Sequence, residues 1–456
     1  MAPASSWGNT ARSRHELLEL DDRSAPFPPL PLHSTFLPFG NGRSYGDSCL
    51  NDGGVLVRTR RADRFISFDR ERGTLHCEAG VLLDEILDLI VPAGWFLAVT
   101  PGTRLVTVGG AIANDVHGKN HHRTGTFGRH VQHLELLRSD QTRITCSPRD
   151  NPTWFAATVA GLGLTGIITA AQIALRPIAG PWIDLETIRF RNLDQFLQLT
   201  RDSDAGYEYT VAWIDCRDGV GRGLFQRGNH AAQAGSPDRR QRPWNVPFRA
   251  PISAVNAATA GLFSTAHYWR QRCDRQRSRV HYESFFYPLD GILNWNRLYG
   301  PRGFYQYQCV IPTAAATEAL QQLLQAIACS GAPTFLSVLK AFGSIESPGM
   351  LSFPAPGLTL AVDLPADPVR SAALFATLDD IIAQAGGRLY PAKDARMPGA
   401  LFRSGYPRLR EFSQFIDPRS SSSFWRRVVG EGCEGTHSRV AAQVSAPAAP
   451  PATSAA

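Results

Sequence analysis

Two glycine-rich stretches constrain the fold of this chain more than any other sequence feature. The first, FGNGRSYGD at residues 39–47, places three glycines around an Arg-Ser-Tyr sequence. The second, residues 100–131, holds six glycines and four of the chain's twelve histidines. Glycines let a ligand approach the backbone closely, and clustered backbone amides bind anions such as a pyrophosphate. Either stretch alone is typical of a tight turn, but together they predict two parts of one anion-binding cradle.

The elements predicted around these stretches indicate an α+β fold. Alternating or β-branched runs predict strands, and apolar residues at helical spacing predict helices. Strands are expected at 55–59, 65–69, 74–79 and 166–175, helices at 81–90 and 154–162, and a hairpin at 134–138 and 143–146. Because strands and helices do not alternate regularly, this order is typical of α+β proteins and not of a series of βαβ units.

The second half of the chain predicts a separate sheet that helices cover on one face. Strands are expected at 183–190, 209–215, 306–311 and 358–363, and amphipathic helices at 316–329 and 369–385. We expect residues 228–244 to form either a mobile loop near the mouth of the site or a simple disordered surface loop. The tail, residues 431–456, has too little apolar surface to order itself and is expected to be disordered.

Composition narrows the class of protein. The net charge is +7, but the basic residues are dispersed and form no tract, which argues against a nucleic-acid binder. Eight cysteines without a CxxC pair indicate a reduced, intracellular chain. The N-terminus lacks the apolar segment of a secretory signal, and no run of 18 apolar residues predicts a membrane span. We therefore expect a cytoplasmic protein.

The motifs GxGRSYGD and PGTxxVTVGGAIAxDVHGKNHH resemble the flavin-binding sequences of the vanillyl-alcohol-oxidase and para-cresol-methylhydroxylase (PCMH) superfamily of FAD oxidoreductases. Within it, the chain is most similar to the oxidase subunits of decaprenylphosphoryl-ribose 2'-epimerases, from residue 6 to about residue 429. The resemblance implies a PCMH-type FAD-binding domain at 1–178, a substrate (lid) domain at 179–385, and a segment, 386–430, that returns to the FAD domain.

The resemblance also implies which residues hold FAD. Arg43 stands where covalent relatives carry the histidine that is bonded to the flavin, and because arginine cannot form that bond, we expect non-covalent FAD. Tyr45 and Tyr390 are expected either to contact the flavin or to be ordinary core aromatics. The expected cofactor-binding residues are Gly40, Asn41, Gly42, Arg43, Ser44, Tyr45, Gly46, Gly102, Thr107, Val108, Gly109, Gly110, Asn114, Asp115, His117, Gly118, Ile167 and Tyr390.

Only three of the 47 basic residues are lysines, which draws attention to each of them. Lys393, in GGRLYPAKD, resembles the family lysine at the substrate hydroxyl. One expectation is that desolvation lowers the pKa of Lys393 so that it acts as a base. A second is that it stays a cation, which stabilises the reduced flavin or holds the hydroxyl. The third is a solvated surface lysine. His117 and Tyr45 complete the expected catalytic set. The expected substrate-binding residues are Lys119, Trp213, Gln308, Lys340 and Ala361.

Two further features refine the expected site. His121 and His122 either support His117 from behind or have structural roles, and because no carboxylate or cysteine follows at ligand spacing, no metal site is predicted. At Ala361 the best-known members of the epimerase group carry a cysteine, and a neighbouring polar residue is replaced by Thr359. Properties that depend on that thiol are not expected in this chain, and the identity of its substrate stays open.

The resemblance implies an FAD-dependent oxidoreductase that oxidises a secondary alcohol of a sugar or lipid-linked sugar by hydride transfer to flavin N5. It also implies a polyprenyl-phosphate pentose as substrate, a short-chain reductase partner, and peripheral contact with the inner membrane. Two alternatives stay open at this stage: an aldonolactone or alditol-type oxidase, such as a D-arabinono-1,4-lactone oxidase, and a flavin-binding subunit without turnover.

Overall fold

The computed structural model describes residues 4–233 and 243–430. The first unit of the fold is a small parallel sheet of β1 (Glu16–Glu19), β2 (Phe36–Phe39) and β3 (Val55–Arg58), with β3 in the centre. Val55, Leu56 and Val57 are fully buried in it. The first glycine-rich loop leaves directly from the end of β2, so the buried sheet fixes where that loop begins.

A six-stranded antiparallel sheet forms the second unit. Its strands are β4 (Phe65–Asp69), β5 (Thr74–Glu78), β6 (Trp95–Leu97), β7 (Val131–Leu137), β8 (Arg143–Cys146) and β9 (Ile167–Pro177), in the order β4-β5-β9-β7-β8 with β6 paired to the end of β9. Four helices accompany it: α1 (Leu83–Ile90), α2 (Val108–Ala113), α3 (His121–Thr124) and α4 (Pro152–Thr158). The second glycine-rich stretch carries α2 and α3, and leads into β7.

The third unit is an eight-stranded antiparallel sheet, ordered β14-β10-β12-β11-β17-β18-β16-β19. Its strands are β10 (Trp182–Phe190), β11 (Tyr209–Ile214), β12 (Gly223–His230), β14 (Arg275–His281), β16 (Phe304–Pro312), β17 (Ser337–Phe342), β18 (Gly357–Pro365) and β19 (Arg388–Leu389). Two short strands, β13 (Trp244–Asn245) and β15 (Ile292–Leu293), pair beside it. The helices in this part of the chain are α5 (Leu193–Ser203), α6 (Ala257–Arg270), α7 (Tyr282–Phe286), α8 (Ala316–Ser330) and α9 (Pro368–Gln384).

The two faces of this sheet differ because side chains alternate along each strand. On β16, Tyr307, Cys309 and Ile311 pack into one core with residues of α8 and α9. Gln306 and Gln308 point to the opposite face, which is free to line a site. The prediction of a sheet covered by helices on one face is therefore confirmed, and so is the α+β class.

After β19 the chain returns to the first unit through α10 (Gly399–Gly405), α11 (Leu409–Phe412) and α12 (Ser423–Val429). Arg388 and Leu389, predicted to open the returning segment, still pair with β16 before the chain turns back. The return is tied to β2, because the backbone of Phe36 bonds to those of Arg419 and Ser421. Within the described ranges, no helix is both long and apolar enough to cross a bilayer.

Most predicted elements are confirmed within a few residues, and the exceptions have local causes. The helix predicted at 154–162 ends at Thr158, because Ala160 and Leu162 have positive φ angles of 61° and 56°. The first residues of the predicted loop 228–244 belong to β12, and its last begins β13. Residues 234–242 of that loop and the predicted disordered tail, 431–456, lie outside the described residues. The domain boundaries stay predictions.

Candidate active site

A cavity of about 670 Å³ lies between the two glycine-rich loops and the open face of the eight-stranded sheet. This volume is in the range of cofactor and ligand sites. The structure brings together at it most of the residues predicted for the site: Gly40, Asn41, Gly42, Arg43, Ser44, Tyr45, Gly102, Thr107, Gly109, Gly110, Asn114, His117, Gly118, Lys119, Trp213, Gln308, Lys340, Ala361, Tyr390 and Lys393.

The two loops touch through a contact that requires glycine. The hydroxyl of Thr107 caps α2 by accepting a hydrogen bond from the Gly110 amide at 3.1 Å. A Cβ added to Gly40 would lie only 2.4 Å from that same hydroxyl oxygen. Asn41 completes the junction, because its side-chain amide donates to the Leu105 carbonyl at 2.7 Å. The loops therefore form one cradle, as the sequence predicts.

The cradle presents unpaired hydrogen-bond donors to the cavity. The backbone amides of residues 41–44, and those of Gly102 and Thr103, donate to no other residue within 4–233 and 243–430. A Cβ added to Gly102 would meet no atom within 4 Å, so this position faces open space. Backbone donors are normally paired when they are buried, and clustered free amides form an anion site. This arrangement fits the pyrophosphate of FAD.

Arg43 adds a fixed positive charge to the cradle. Its guanidinium carbon lies 4.2 Å from the centre of the Trp7 ring, and its Nε atom is buried without a partner among the described residues. Burial lowers the pKa of Arg43, and the negative charge of Asp290 opposes that shift. A guanidinium with a buried Nε atom that has no partner among the described residues, beside free amides, is the arrangement expected where a phosphate binds.

His117 connects the cradle to the lid sheet. Its Nε2 atom lies 3.1 Å from the side-chain amide of Gln308 on β16, and its Nδ1 atom lies 3.3 Å from Lys340 Nζ on β17. Burial, and then the charge of Lys340, holds the pKa of His117 well below its usual value. His117 is therefore a neutral imidazole that can orient a neighbour but carries no charge of its own.

All three lysines of the protein line this one cavity. Desolvation lowers the pKa of Lys119 to about 7 and that of Lys340 to about 8. The Lys119 ammonium donates to the Phe285 carbonyl and lies 4.0 Å from the centre of that residue's ring. The charge of Lys340 also lowers the pKa of both Lys119 and Lys393, so an anionic ligand would relieve repulsion in this cavity.

Lys393 lies over Tyr45, with its Nζ atom 3.6 Å from the ring centre. Desolvation lowers the pKa of Lys393 to about 7, while the carboxylate of Asp363 raises it. Asp363 is fully buried, accepts a hydrogen bond from Gln306, and leaves its second oxygen unpaired among the described residues. Burial raises the pKa of Asp363, so amine and carboxyl are both pushed toward their neutral forms. Sequence reasoning missed Asp363.

An ion-pair cluster of two buried carboxylates and a partly exposed arginine ties the Tyr45 and Lys393 segments together. Arg427 on α12 contacts Asp47 and Asp394, in each case at 2.8 Å. A Cβ on Gly46 would lie 1.7 Å from the Asp394 carbonyl oxygen, so these segments touch directly. Sequence reasoning missed Arg427 as well, because Asp47 lies 380 residues away in the chain.

Four residues predicted to bind the cofactor do not line the cavity: Gly46, Val108, Asp115 and Ile167. Val108 and Ile167 are fully buried in two different apolar cores, behind the wall. Asp115 is also fully buried, and accepts hydrogen bonds from Ser352 at 2.6 Å and from the Gly128 amide at 2.8 Å. Gly46 lies against the Asp394 carbonyl, and the side chains of Val108, Asp115 and Ile167 build the wall behind the cavity, so a cofactor contact by these four residues stays a prediction.

His121 and His122 also stand behind the cavity. The ring of His121 lies 4.5 Å from that of Phe342, and burial lowers its pKa to about 4. His122 bonds through Nε2 to the Tyr207 carbonyl at 3.2 Å. Over the described ranges, no three histidine, cysteine or carboxylate side chains are grouped so that they could hold a metal ion.

Comparison with known proteins agrees with this geometry. The family described as "FAD binding domain" matches residues 33–147, which span both loops. Decaprenylphosphoryl-β-D-ribose oxidase of Mycolicibacterium smegmatis is 37% identical over 399 residues, which cover 83% of this chain and 85% of that protein. An uncharacterized protein in the mprA 5' region of Streptomyces coelicolor is 33% identical over 76% of this chain and all of that protein.

Lactone oxidases are more distant. L-gulonolactone oxidase of Mus musculus is 29% identical over 140 residues, which cover 30% of this chain and 31% of that protein. The match to the decaprenylphosphoryl-ribose oxidase, by contrast, covers 83% of this chain. This protein therefore belongs to the family of FAD-dependent oxidoreductases, acting on CH–OH groups, that includes decaprenylphosphoryl-β-D-ribose oxidase.

Proposed function

We propose that this protein oxidises a secondary hydroxyl of a pentose that is linked through phosphate to a polyprenyl lipid. The observation that carries the proposal is that the chain's three lysines all line the cavity that the FAD cradle closes on one side. The cradle has its own donors for the pyrophosphate of FAD, so Lys119 and Lys340 stay available for a second anion, while Lys393 is left for the substrate hydroxyl. The name of the Mycolicibacterium smegmatis relative supports a phosphoryl-linked ribose.

Each lid residue has a distinct task in this proposal. Bound FAD supplies the acceptor for a hydride from the substrate carbon. Lys393, whose pKa is lowered to about 7, accepts the proton of the hydroxyl as the neutral amine. Neutral His117 and Gln308, which are hydrogen-bonded to each other, orient the sugar. Lys119 and Lys340 balance the charge of the substrate phosphate.

We propose that FAD is held without a covalent bond. The support is that Arg43, stacked on Trp7, occupies the loop position at which covalent relatives carry a flavin-linked histidine. Acid precipitation of the protein tests this directly. The yellow colour should pass entirely into the supernatant, and flavin that stays on the denatured chain would contradict the proposal.

Two partners follow from the same proposal. A reductase of the short-chain type would reduce the keto sugar that this reaction forms, giving net 2'-epimerisation. A peripheral contact with a membrane would bring the lipid-linked substrate within reach. Both contacts would use surfaces outside the cavity, so the roles proposed for the cavity residues stay the same. Co-purification from cells and sedimentation with lipid vesicles test the two contacts separately.

The experiment that tests the function is an anaerobic flavin spectrum before and after the addition of candidate substrates. A short-chain polyprenyl-phosphoryl pentose should bleach the flavin band, whereas free sugars, alditols and aldonolactones should not. Bleaching by a free lactone or alditol would instead assign the protein to the aldonolactone or alditol-type oxidases. An unchanged spectrum with every substrate would favour a flavin-binding subunit without turnover.

A further inference from the structure

Exposed apolar side chains are concentrated in one stretch of this chain. Of the eleven large hydrophobic residues that are exposed within the described ranges, seven lie between residues 244 and 293. Isolated exposed hydrophobics are normal, but a concentration of them marks an interaction surface. We call the following seven residues the apolar patch: Trp244, Phe248, Ile252, Leu262, Trp269, Ile292 and Leu293.

Two of the segments that carry the apolar patch, β15 and α6, also line the cavity. Ile292 and Leu293 of β15 line the cavity and are themselves 40% and 37% exposed, so they mark its mouth. Trp244, which is 82% exposed, pairs with Ile292 in the β13–β15 ladder. Helix α6 is the second segment, because its Phe263 lines the same cavity. The segments that close the cavity on the inside thus carry the patch on the outside.

Helix α6 carries large apolar side chains on its exposed face. Its buried residues, Ala260, Ser264 and Tyr268, follow one another at a spacing of four. On the outer surface, Leu262 is 74% exposed and Trp269 is 60% exposed. A surface helix normally turns charged residues to water, yet this helix has no acidic residue and its one arginine, Arg270, is at its end. Its outer face is therefore suited to an apolar environment.

The charge around the patch points to an anionic occupant. From residue 244 to residue 293, the span of the patch, the chain contains six arginines and three carboxylate residues, an excess of positive charge. Arg249 follows Phe248 directly in the chain, Arg272 comes three residues after Trp269, and both arginines are exposed. Tryptophan and arginine are both favoured at the level of lipid headgroups, and basic residues there are attracted to anionic lipids. Docking of a second copy on the same patch would instead place like charges together.

We propose that the apolar patch rests in the headgroup layer of an anionic lipid bilayer, with the cavity mouth open at that level. A lipid-linked sugar keeps its phosphate in the same layer, so its sugar could enter the cavity while the polyprenyl chain stays in the membrane. The role of this surface in substrate access rests on the proposed function. The membrane contact itself does not depend on it.

Sedimentation of the FAD-bound protein with vesicles tests the surface. Native protein should pellet with phosphatidylglycerol–phosphatidylcholine vesicles and do so less with phosphatidylcholine alone. The double variant Leu262→Ser with Trp269→Ser should lower the partition coefficient about tenfold or more, because each side chain loses its transfer from water. Arg249→Glu with Arg272→Glu should abolish the preference for the anionic vesicles.

A matched control uses equally exposed apolar residues elsewhere. Leu32 and Val369 are 85% and 86% exposed, and neither belongs to the patch. Leu32→Ser with Val369→Ser should bind vesicles as the native protein does. Equal loss of binding in this control, or native binding by the Leu262 and Trp269 variant, would overturn the proposal. A dimer that forms at high concentration and is lost in the patch variant would assign the surface to a second copy and overturn it too.

The same variants separate this inference from the proposed function. Bleaching of the flavin by the short-chain polyprenyl-phosphoryl pentose in vesicle-free solution should be unchanged, because Leu262 and Trp269 do not line the cavity. Vesicle binding without bleaching would remove the substrate assignment and support the surface. Bleaching without any vesicle binding by the native protein would remove the surface and keep the function.

Discussion

The two walls of the cavity are built in different ways. The cradle wall consists of two continuous stretches, residues 39–47 and 100–131, which present backbone amides and glycines. The lid wall consists of side chains at alternate positions of separate strands, such as Trp213, Gln308 and Lys340. A Cβ added to a glycine of the cradle blocks the approach of the ligand to the backbone. A substitution in the lid wall removes only the contacts of one side chain. Cofactor binding and substrate oxidation can therefore be separated by mutation.

The largest separation is expected at Lys393. Replacing it with methionine keeps the apolar stem over Tyr45 but removes the amine. Loss of a positioned base lowers a rate by about 10²–10⁴-fold, and anaerobic flavin reduction should fall by that factor. FAD content, measured by absorbance, should stay at the native level because the cradle is untouched. Unchanged reduction would remove Lys393 from the catalytic set.

Arg427→Met should weaken both walls together. The change leaves the buried carboxylates of Asp47 and Asp394 without their shared partner, which costs about 2 kcal/mol of unfolding free energy, between the values for exposed and fully buried pairs because Arg427 is partly exposed. Flavin reduction should also slow, since these carboxylates flank Tyr45 and Lys393 in sequence. Urea denaturation measures the first effect and stopped-flow absorbance the second.

A neighbouring arginine serves as the control for Arg427. Arg408 pairs with Glu411 at 2.9 Å, but both side chains are more than 40% exposed. Arg408→Met should therefore change stability by less than about 1 kcal/mol. Arg427→Lys keeps the charge but loses the two-pronged contact, and should restore part of the reduction rate. Native behaviour in Arg427→Met would show that α12 has no role in positioning the site.

The pH dependence of flavin reduction decides what Lys393 does. Desolvation lowers its pKa to about 7, so the neutral amine is lost as the pH falls below that value. If Lys393 is the base, the rate should drop about tenfold per pH unit below about 7 and level off above it. The opposite slope, a rate that falls as the pH rises through 7, would show that the cation is the active form.

Gly102→Val tests the cradle alone. The added side chain would meet no protein atom within 4 Å at its Cβ, so the fold should be retained. It would occupy the space beside the free amides, and we expect FAD to bind about tenfold more weakly or worse. Gly206→Val, at another glycine with no atom within 4 Å, is the matched control. Equal FAD affinity in both variants, measured by fluorescence titration, would move the cofactor away from Gly102.

The difference between the walls also explains how much of the site the sequence could predict. The cradle is read from two local motifs, and all but a few of its predicted residues line the cavity. Asp363 was missed, although it continues the alternation of Thr359 and Ala361 along β18 toward the cavity, and that pattern could have revealed it. Arg427 could not be found, because only the tertiary fold brings α12 to Asp47.

The fold, like the site, is predicted well where the sequence pattern is local and regular. Strands and helices with a clear period, such as α1 and β10, are predicted well because their burial is regular. Local backbone conformation decides the misses: the helix α4 ends early because Ala160 and Leu162 adopt positive φ angles, which an apolar pattern does not reveal. The apolar patch was not predicted either, since an exposed hydrophobic residue looks like a core residue in sequence.

The smallest effect is expected at Thr359, where the lid wall should tolerate change. Its hydroxyl lies 3.3 Å from the Gln308 side-chain amide, which also contacts His117. Thr359→Val removes one neutral hydrogen bond, worth about 1 kcal/mol, so flavin reduction should slow about two- to tenfold with FAD content unchanged. Thr359→Ser keeps the hydroxyl and should stay near the native rate. A loss as large as that of Lys393→Met would show that Gln308 needs Thr359 to hold its place, and that the lid wall is as intolerant of single changes as the cradle.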